Sequence, residues 1–137
     1  MQFPLVTSIY AALFGILFTL LSAWVGGGRH KNSASFGDAG DTDLRGRIRA
    51  HANFAEYVPL ILILVALLEA RHTSIYAIHI LLLALLIGRL LHPFGMVAAD
   101  GSRQMGVCRG IGASLTMLVL IVSSVMLLLA GLTGGVF

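Results

Sequence analysis

Four apolar stretches, each long enough or nearly long enough to cross a lipid bilayer, limit the fold of this chain more than any motif does. The first runs from about Phe3 to Val25 without a charged residue and meets the glycine run Gly26–Gly28. The second, Phe54 to Leu68, falls short of the ~20 residues a spanning helix needs, so its helix must begin further back, towards Arg45. The third covers about Ile75 to Val97 and the fourth about Gly110 to Val136. Of the 137 residues 58% are hydrophobic and only 11% charged, where a soluble domain carries about a quarter. The expected architecture is therefore all-α: an integral membrane four-helix bundle, with residues 1–137 as one domain. The first stretch has no basic residues ahead of it and is long for a signal peptide, so it reads as a retained span.

Lys and Arg set the expected orientation. The connection between spans one and two holds Arg29, Lys31, Arg45, Arg47 and Arg49, and that between three and four holds Arg103, with Arg109 at its end. The short link between two and three has only Arg71, and the ends of the chain have none. The positive-inside rule places both basic connections in the cytoplasm and both termini on the other side. The first connection, Gly26 to Leu44, is rich in Gly, Ser, Asn and Asp, which predicts a mobile loop closed by Asp41, Thr42 or Asp43 as the N-cap of the second helix. The tight link at His72–Ser74 makes spans two and three an antiparallel hairpin. Glycines late in the chain, among them Gly106, Gly110, Gly112 and Gly131, allow helices to approach closely in a membrane. A net charge of +3 spread over membrane edges excludes nucleic acid as the natural partner and leaves lipid headgroups or a small anion. One cysteine, Cys108, excludes an intrachain disulfide.

The second helix carries the best clue to function. Arg49, Asn53 and Glu56 fall at i, i+4 and i+7, Asn53 about 40° round from Arg49 and Glu56 about 20° the other way, and Arg45 lies about 40° off Arg49. A cation, an amide and a carboxylate on one stripe of so apolar a chain are costly unless something uses them. The spacing admits two readings: a ligand site, or an intrahelical Arg49–Asn53–Glu56 network whose arginines reach for headgroups. Pro59 removes one hydrogen bond of that helix.

The third helix adds Arg89 and His92, three apart on nearly one face. Arg89 lies deep in an apolar run and cannot shed its charge, which favours an inward role. His79 is an isolated histidine on an apolar face, and Glu69, Arg71 and His72 read as solvated residues at a helix end. Arg103 and Arg109 open the fourth helix about 120° apart if both are helical. Arg109, nearer the membrane, is the better partner for an interior charge. Ser114 and Thr116 read as hydroxyls bonded to their own helix. No metal-ligand cluster, Ser-His-Asp order, P-loop or dinucleotide fingerprint is present.

The pattern R-A-H-x-N-x-x-E-Y-x-P on the second span, R-x-x-H on the third and an arginine heading the fourth resemble the MAPEG family, the membrane-associated proteins of eicosanoid and glutathione metabolism, and its small bacterial members in particular. The resemblance covers essentially the whole chain. It implies a homotrimer with glutathione sites at subunit interfaces near the cytoplasmic side, and a lipophilic second substrate. By motif position Arg49, Asn53, Glu56 and Tyr57 would hold the tripeptide, with Arg89 and His92 beside them and Arg29 or Lys31 as a further basic residue. The family's thiolate-stabilising arginine would be Arg109, or Arg103 in an ungapped alignment. Two positions depart from the pattern. Met96 stands where the eicosanoid synthases have a tyrosine, and Gly46, flanked by Arg45 and Arg47, stands where an arginine is usual. Both bear on a specific eicosanoid reaction rather than on the glutathione site.

Glutathione brings two carboxylates, one ammonium and a thiol of pKa about 8.5. Arginines can clamp the carboxylates, Glu56 can take the ammonium, and an arginine near sulfur would lower the thiol pKa. The expected function is thus a membrane glutathione transferase or peroxidase acting on lipophilic electrophiles. The alternatives are a non-catalytic scaffold of the same architecture that binds lipid or protein, and a small transport subunit using Arg89 and Glu56 as an intramembrane ion pair.

Overall fold

A computed structural model of the chain describes residues 3–133. Its helices are α1 (Leu5–Lys31), α2 (Thr42–Ala70), α3 (Ile75–Met96) and α4 (Gly110–Thr133), with a π-helical turn, Met105–Arg109, leading into α4. All four are long and apolar enough to cross a membrane, and no strand occurs among the described residues. The last residues of the expected fourth span, Gly134 to Val136, lie outside those described.

Alpha-helices α2 and α3 form the middle of the bundle. Both touch α1 and α4, whereas α1 and α4 do not meet. On α2 the buried positions Phe54, Val58, Ile61, Val65 and Leu68 recur every three or four residues, and Ile78, Leu82 and Leu85 of α3 pack against them. The buried face of α4 is built from small residues: Gly112, Thr116, Val119, Ser123 and Ala130. That choice has a membrane reason. Lipid tails are as apolar as leucine, so helices associate through close backbone approach rather than through expulsion of water. Thr116 and Ser123 direct their hydroxyls to the carbonyls of Gly112 (2.8 Å) and Val119 (2.7 Å), which satisfies them inside their own helix. Large side chains point outwards: Leu20, Ile63, Ile80 and Leu128 are each more than half exposed, as a lipid-facing surface requires.

Tertiary packing changes two sequence expectations. Instead of stopping at Gly26–Gly28, α1 continues through the glycines to Lys31 and is closed by Asn32, whose backbone and side-chain N–H groups both donate to the Gly28 carbonyl. A glycine costs a helix roughly 1 kcal/mol. Here Gly28 lies against Leu44 and Arg47 of α2, and a Cβ added to it would come within 2.9 Å of Leu44 Cδ1. At the start of α2, Asp41 is the N-cap, accepting from the Leu44 N–H at 2.6 Å. The loop between is tied down by Arg29, which donates to the Ser35 carbonyl, and by the Asp38–Arg45 ion pair. Hydrogen bonds from Arg45 and from the Gly40 N–H hold the Asp38 carboxyl below its usual range. A depressed carboxyl contributes to order above its unfolded pKa and loses that contribution as pH falls through the lowered value. Amide exchange across Gly37–Gly40 should therefore be unchanged at neutral pH and accelerate only in strong acid.

The second correction concerns Glu69. Rather than being solvated, it is 5% exposed and caps the start of α1, accepting from the N–H groups of Val6 and Thr7 (both 2.8 Å) and the Thr7 hydroxyl (2.6 Å). Alpha-helix α1 has no side-chain cap of its own, since Pro4 precedes it. A carboxylate here satisfies orphan donors and meets the positive end of the helix dipole. Two residues on, Arg71 donates to the Ala130 carbonyl at 2.7 Å, a cation at the negative end of α4. One short stretch of chain thus ties the termini of two other helices. Glu69→Ala should lower the thermal midpoint in detergent, with a loss on the order of 1.5–3 kcal/mol for charged hydrogen bonds. Glu69→Gln, which keeps one acceptor, should lose less.

Candidate functional site

Arg89 is the largest fully buried side chain, 2% exposed, and lies seven residues before the end of α3. At 1.5 Å per residue this is about 10 Å inside the helix end, within the hydrocarbon region. Its Nη1 donates to Asn53 Oδ1 of α2 at 2.7 Å and its Nη2 to the Gly112 carbonyl of α4 at 3.2 Å, while the buried Nε finds no acceptor. Among the described residues the ion pairs are Arg45–Asp38 and Arg47–Asp43, so no carboxylate neutralises Arg89. A guanidinium that keeps its charge and is met only by neutral oxygens leaves a positive potential in the bundle, which attracts an anion.

Glycines make this contact possible. At the crossing of α3 and α4 a Cβ on Gly112 would fall 2.8 Å from the Gly88 carbonyl and from His92 Cβ, and one on Gly88 would fall 3.2 Å from the Gly112 carbonyl. Only bare backbones approach so closely, and the Gly112 carbonyl is thereby brought to Arg89. Two further close approaches fix this end of the bundle: Gly46 of α2 against the Met96 carbonyl, and Gly95 of α3 against the backbone of Arg109. Gly46, which departs from the family pattern in sequence, is a packing position here.

The expected site residues divide into two sets. Asn53, Arg89 and His92 come together: Asn53 bonds Arg89, and His92, 5% exposed, packs against Gly112 within electrostatic reach of both Arg89 and Arg109. Tyr57, half-buried, lies one turn beyond Asn53 on the same face. Arg49 and Glu56 lie on the same stripe but are exposed, and among the described residues they bond neither each other nor Asn53. The intrahelical network that would have made the stripe merely structural does not form. Arg29 is occupied by the Ser35 carbonyl. Arg103 is exposed, and Arg109, also exposed at the end of the π-helical turn, lines an open groove of about 460 Å³ with Ser102, Met105 and Gly110. Arg109 thus presents its side chain to a surface instead of reaching into the core of its own subunit. A π-helical turn is a common feature of functional sites, because the extra residue redirects the side chains that follow.

The other polar residues of α2 face α1. Arg47 donates to the Trp24 carbonyl at 3.2 Å and lies 5.0 Å over the indole ring, and His51 Nε2 lies 3.0 Å from Ser22 Oγ with its ring stacked on Phe18. His79, ten residues before Arg89 on α3, lies 3.4 Å from the Tyr10 hydroxyl and edge-on to its ring. Sequence reasoning passed over two contributors. The Gly112 carbonyl had no signal beyond the glycine itself, and Arg47 was detectable only as one of several loop-end arginines.

These features define a class: a four-span membrane bundle with an uncompensated arginine buried beside an amide, and an unpaired cation and carboxylate on the adjoining stripe. The chain belongs to the MAPEG family, whose pattern it matches over residues 7–129. Among curated proteins it is 33% identical to the "Inner membrane protein YecN" of Escherichia coli K12 over 91 residues, 66% of this chain and 70% of that protein, and it matches the counterpart in E. coli O6:H1 to the same degree. No solved structure matches the chain.

Asn53→Ala should leave Arg89 Nη1 unpaired in an apolar interior. The expected loss is about 1.5–3 kcal/mol, read as a lower unfolding midpoint in detergent. Gly112→Ala should cost about 1–3 kcal/mol by overpacking and should displace Arg89 and His92 together.

Proposed function

We propose that this protein is a membrane glutathione transferase or peroxidase that activates the glutathione thiol for attack on lipophilic electrophiles. The observation that carries the reading is Arg89: a buried, permanent cation without a counter-ion among the described residues, bonded to Asn53 and adjoining a stripe whose Arg49 and Glu56 have no partner among those residues. A tripeptide with two carboxylates and one ammonium complements that set. Arg49 would take a carboxylate as a two-pronged donor and Glu56 the ammonium. The buried cation would favour anionic over neutral ligands at the inner end of the site.

Arg109 would supply the remaining positive charge. Beside sulfur it stabilises the thiolate, which is the nucleophile, and lowers the thiol pKa from about 8.5. Thiolate sulfur then bonds to the electrophilic carbon as the leaving group departs with its electron pair; with a hydroperoxide, sulfur attacks the terminal oxygen and an alkoxide leaves. Because Arg109, Arg49 and Glu56 are all exposed on one subunit, a second subunit would complete the site, as in the homotrimer that the resemblance implies. Lipophilic substrates would arrive laterally from the bilayer. The two arginine-bearing connections would face the cytoplasm, with both termini opposite, and the similarity to an E. coli inner membrane protein supports residence in a bacterial inner membrane.

Two measurements test the reading. Calorimetry in detergent should detect glutathione binding, with Arg49→Ala and Glu56→Ala each losing on the order of 1.5–3 kcal/mol while the oligomer stays intact. No binding to the wild type would leave the non-catalytic scaffold as the better account. Thiolate absorbance of bound glutathione should fall in Arg109→Ala, with kcat reduced more than affinity, and should change little in Arg103→Ala, a solvent-screened cation. The reverse pattern would assign thiolate stabilisation to Arg103.

A further inference from the structure

The opposite side of the bundle has a feature that the thiol chemistry does not use. Between α1 and α3, near the end that carries the α1–α2 loop, lies a furrow of about 250 Å³ lined by Leu17, Leu20, Leu21 and Trp24 of α1 and by Leu90, Pro93 and Phe94 of α3. Its walls are almost wholly apolar. From Leu5 to Trp24 is 20 residues, or about 30 Å of helix, equal to the hydrocarbon thickness of a bilayer. Trp24 therefore stands at the membrane–water boundary, where indole rings concentrate, and the furrow occupies the last stretch of hydrocarbon below it.

Alpha-helix α1 continues past that boundary to Lys31. Lys31 is seven residues after Trp24, as Trp24 is seven after Leu17. The three lie on one stripe, and Lys31 stands about 10 Å beyond the indole, at headgroup depth. It is the cation on the furrow's own stripe, and it has neither an ion pair nor a hydrogen bond among the described residues. Arg29 is bonded to the Ser35 carbonyl; Arg47 is paired with Asp43 at 2.6 Å and lies over the Trp24 ring; Arg45 is paired with Asp38. Lys31 is exposed and has no partner among the described residues.

From this continuity we infer that the furrow between α1 and α3 is a binding site for an anionic phospholipid, one acyl chain lying between Leu20 and Phe94 and the phosphate meeting Lys31. The apolar wall accounts for the chain, and the unpaired ammonium at the right depth accounts for the choice of headgroup. One lysine near an anionic surface is worth about a fivefold preference.

Trp24 is the only tryptophan of the chain, so its fluorescence reports on the furrow directly. The full-length protein should be reconstituted into phosphatidylcholine vesicles containing either phosphatidylglycerol or phosphatidylcholine brominated on the acyl chain. Brominated phosphatidylglycerol should quench Trp24 at about fivefold lower mole fraction than brominated phosphatidylcholine. Lys31→Gln should abolish that difference while leaving quenching by phosphatidylcholine unchanged, and Lys31→Arg should retain it. Equal quenching of the wild type by both lipids, or a preference that survives in Lys31→Gln, would overturn the assignment. So would a Trp24 shielded from both, which would mean that another copy of the chain covers the furrow.

Discussion

A permanent positive charge inside an apolar bundle governs much of this structure. Arginine cannot neutralise itself by losing a proton, and at mid-depth in a membrane it is worth roughly 2.5–3.5 kcal/mol of insertion free energy. Arg89 is tolerated because two helices bring oxygens to it: the Asn53 amide from α2 and the Gly112 carbonyl from α4. The second contact exists only because Gly88 and Gly112 let α3 and α4 approach backbone to backbone. Burial of the charge, the small residues on α4 and the position of His92 are therefore parts of one arrangement. The guanidinium is hydrogen-bonded but not neutralised, and this leaves it available to an anion.

The same economy is visible at the helix ends. A membrane bundle has few polar residues, and several of them satisfy backbone groups of a helix other than their own. Glu69 takes the free N–H groups of α1, Arg71 a terminal carbonyl of α4, and Arg47 the carbonyl of Trp24. Each joins chain segments distant in sequence, so these contacts hold helices together as well as capping them. Against that background, Arg49 and Glu56 stand apart. They are charged and exposed, and among the described residues neither has a hydrogen-bond or ion-pair partner. An exposed Arg109 at the end of a π-helical turn adds a third such group.

The bundle thus has two differently equipped sides. Asn53 meets Arg89 of α3, and the exposed Arg49 and Glu56 adjoin Asn53 on the outer surface of α2. Arg47 and His51 are already engaged with α1, and the α1–α3 furrow faces lipid. Thiol chemistry on one side and a headgroup-selective lipid contact on the other would not compete for residues. The arrangement also places both near the same end of the helices, where water-soluble and membrane-dissolved molecules meet.

Sequence by itself determined the number of spans, their type and the stripe on which the polar residues of α2 fall. Apolar length leaves a membrane segment no structure but a helix, and helical periodicity then orders the residues of each face. The N-cap was narrowed to three neighbours for the same local reason, as was the bonding of Thr116 to its own helix. Tertiary structure decided what depends on a second helix. It carried α1 through three glycines because Gly28 packs on Leu44, buried Glu69 at the start of α1, and gave Arg89 the Gly112 carbonyl. It also left Arg49 and Glu56 without a bond to each other. Periodicity states which side of a helix a residue occupies, but not how near the neighbouring backbone comes. In a bundle held by close packing, that distance decides which polar group is satisfied and which remains free for a ligand.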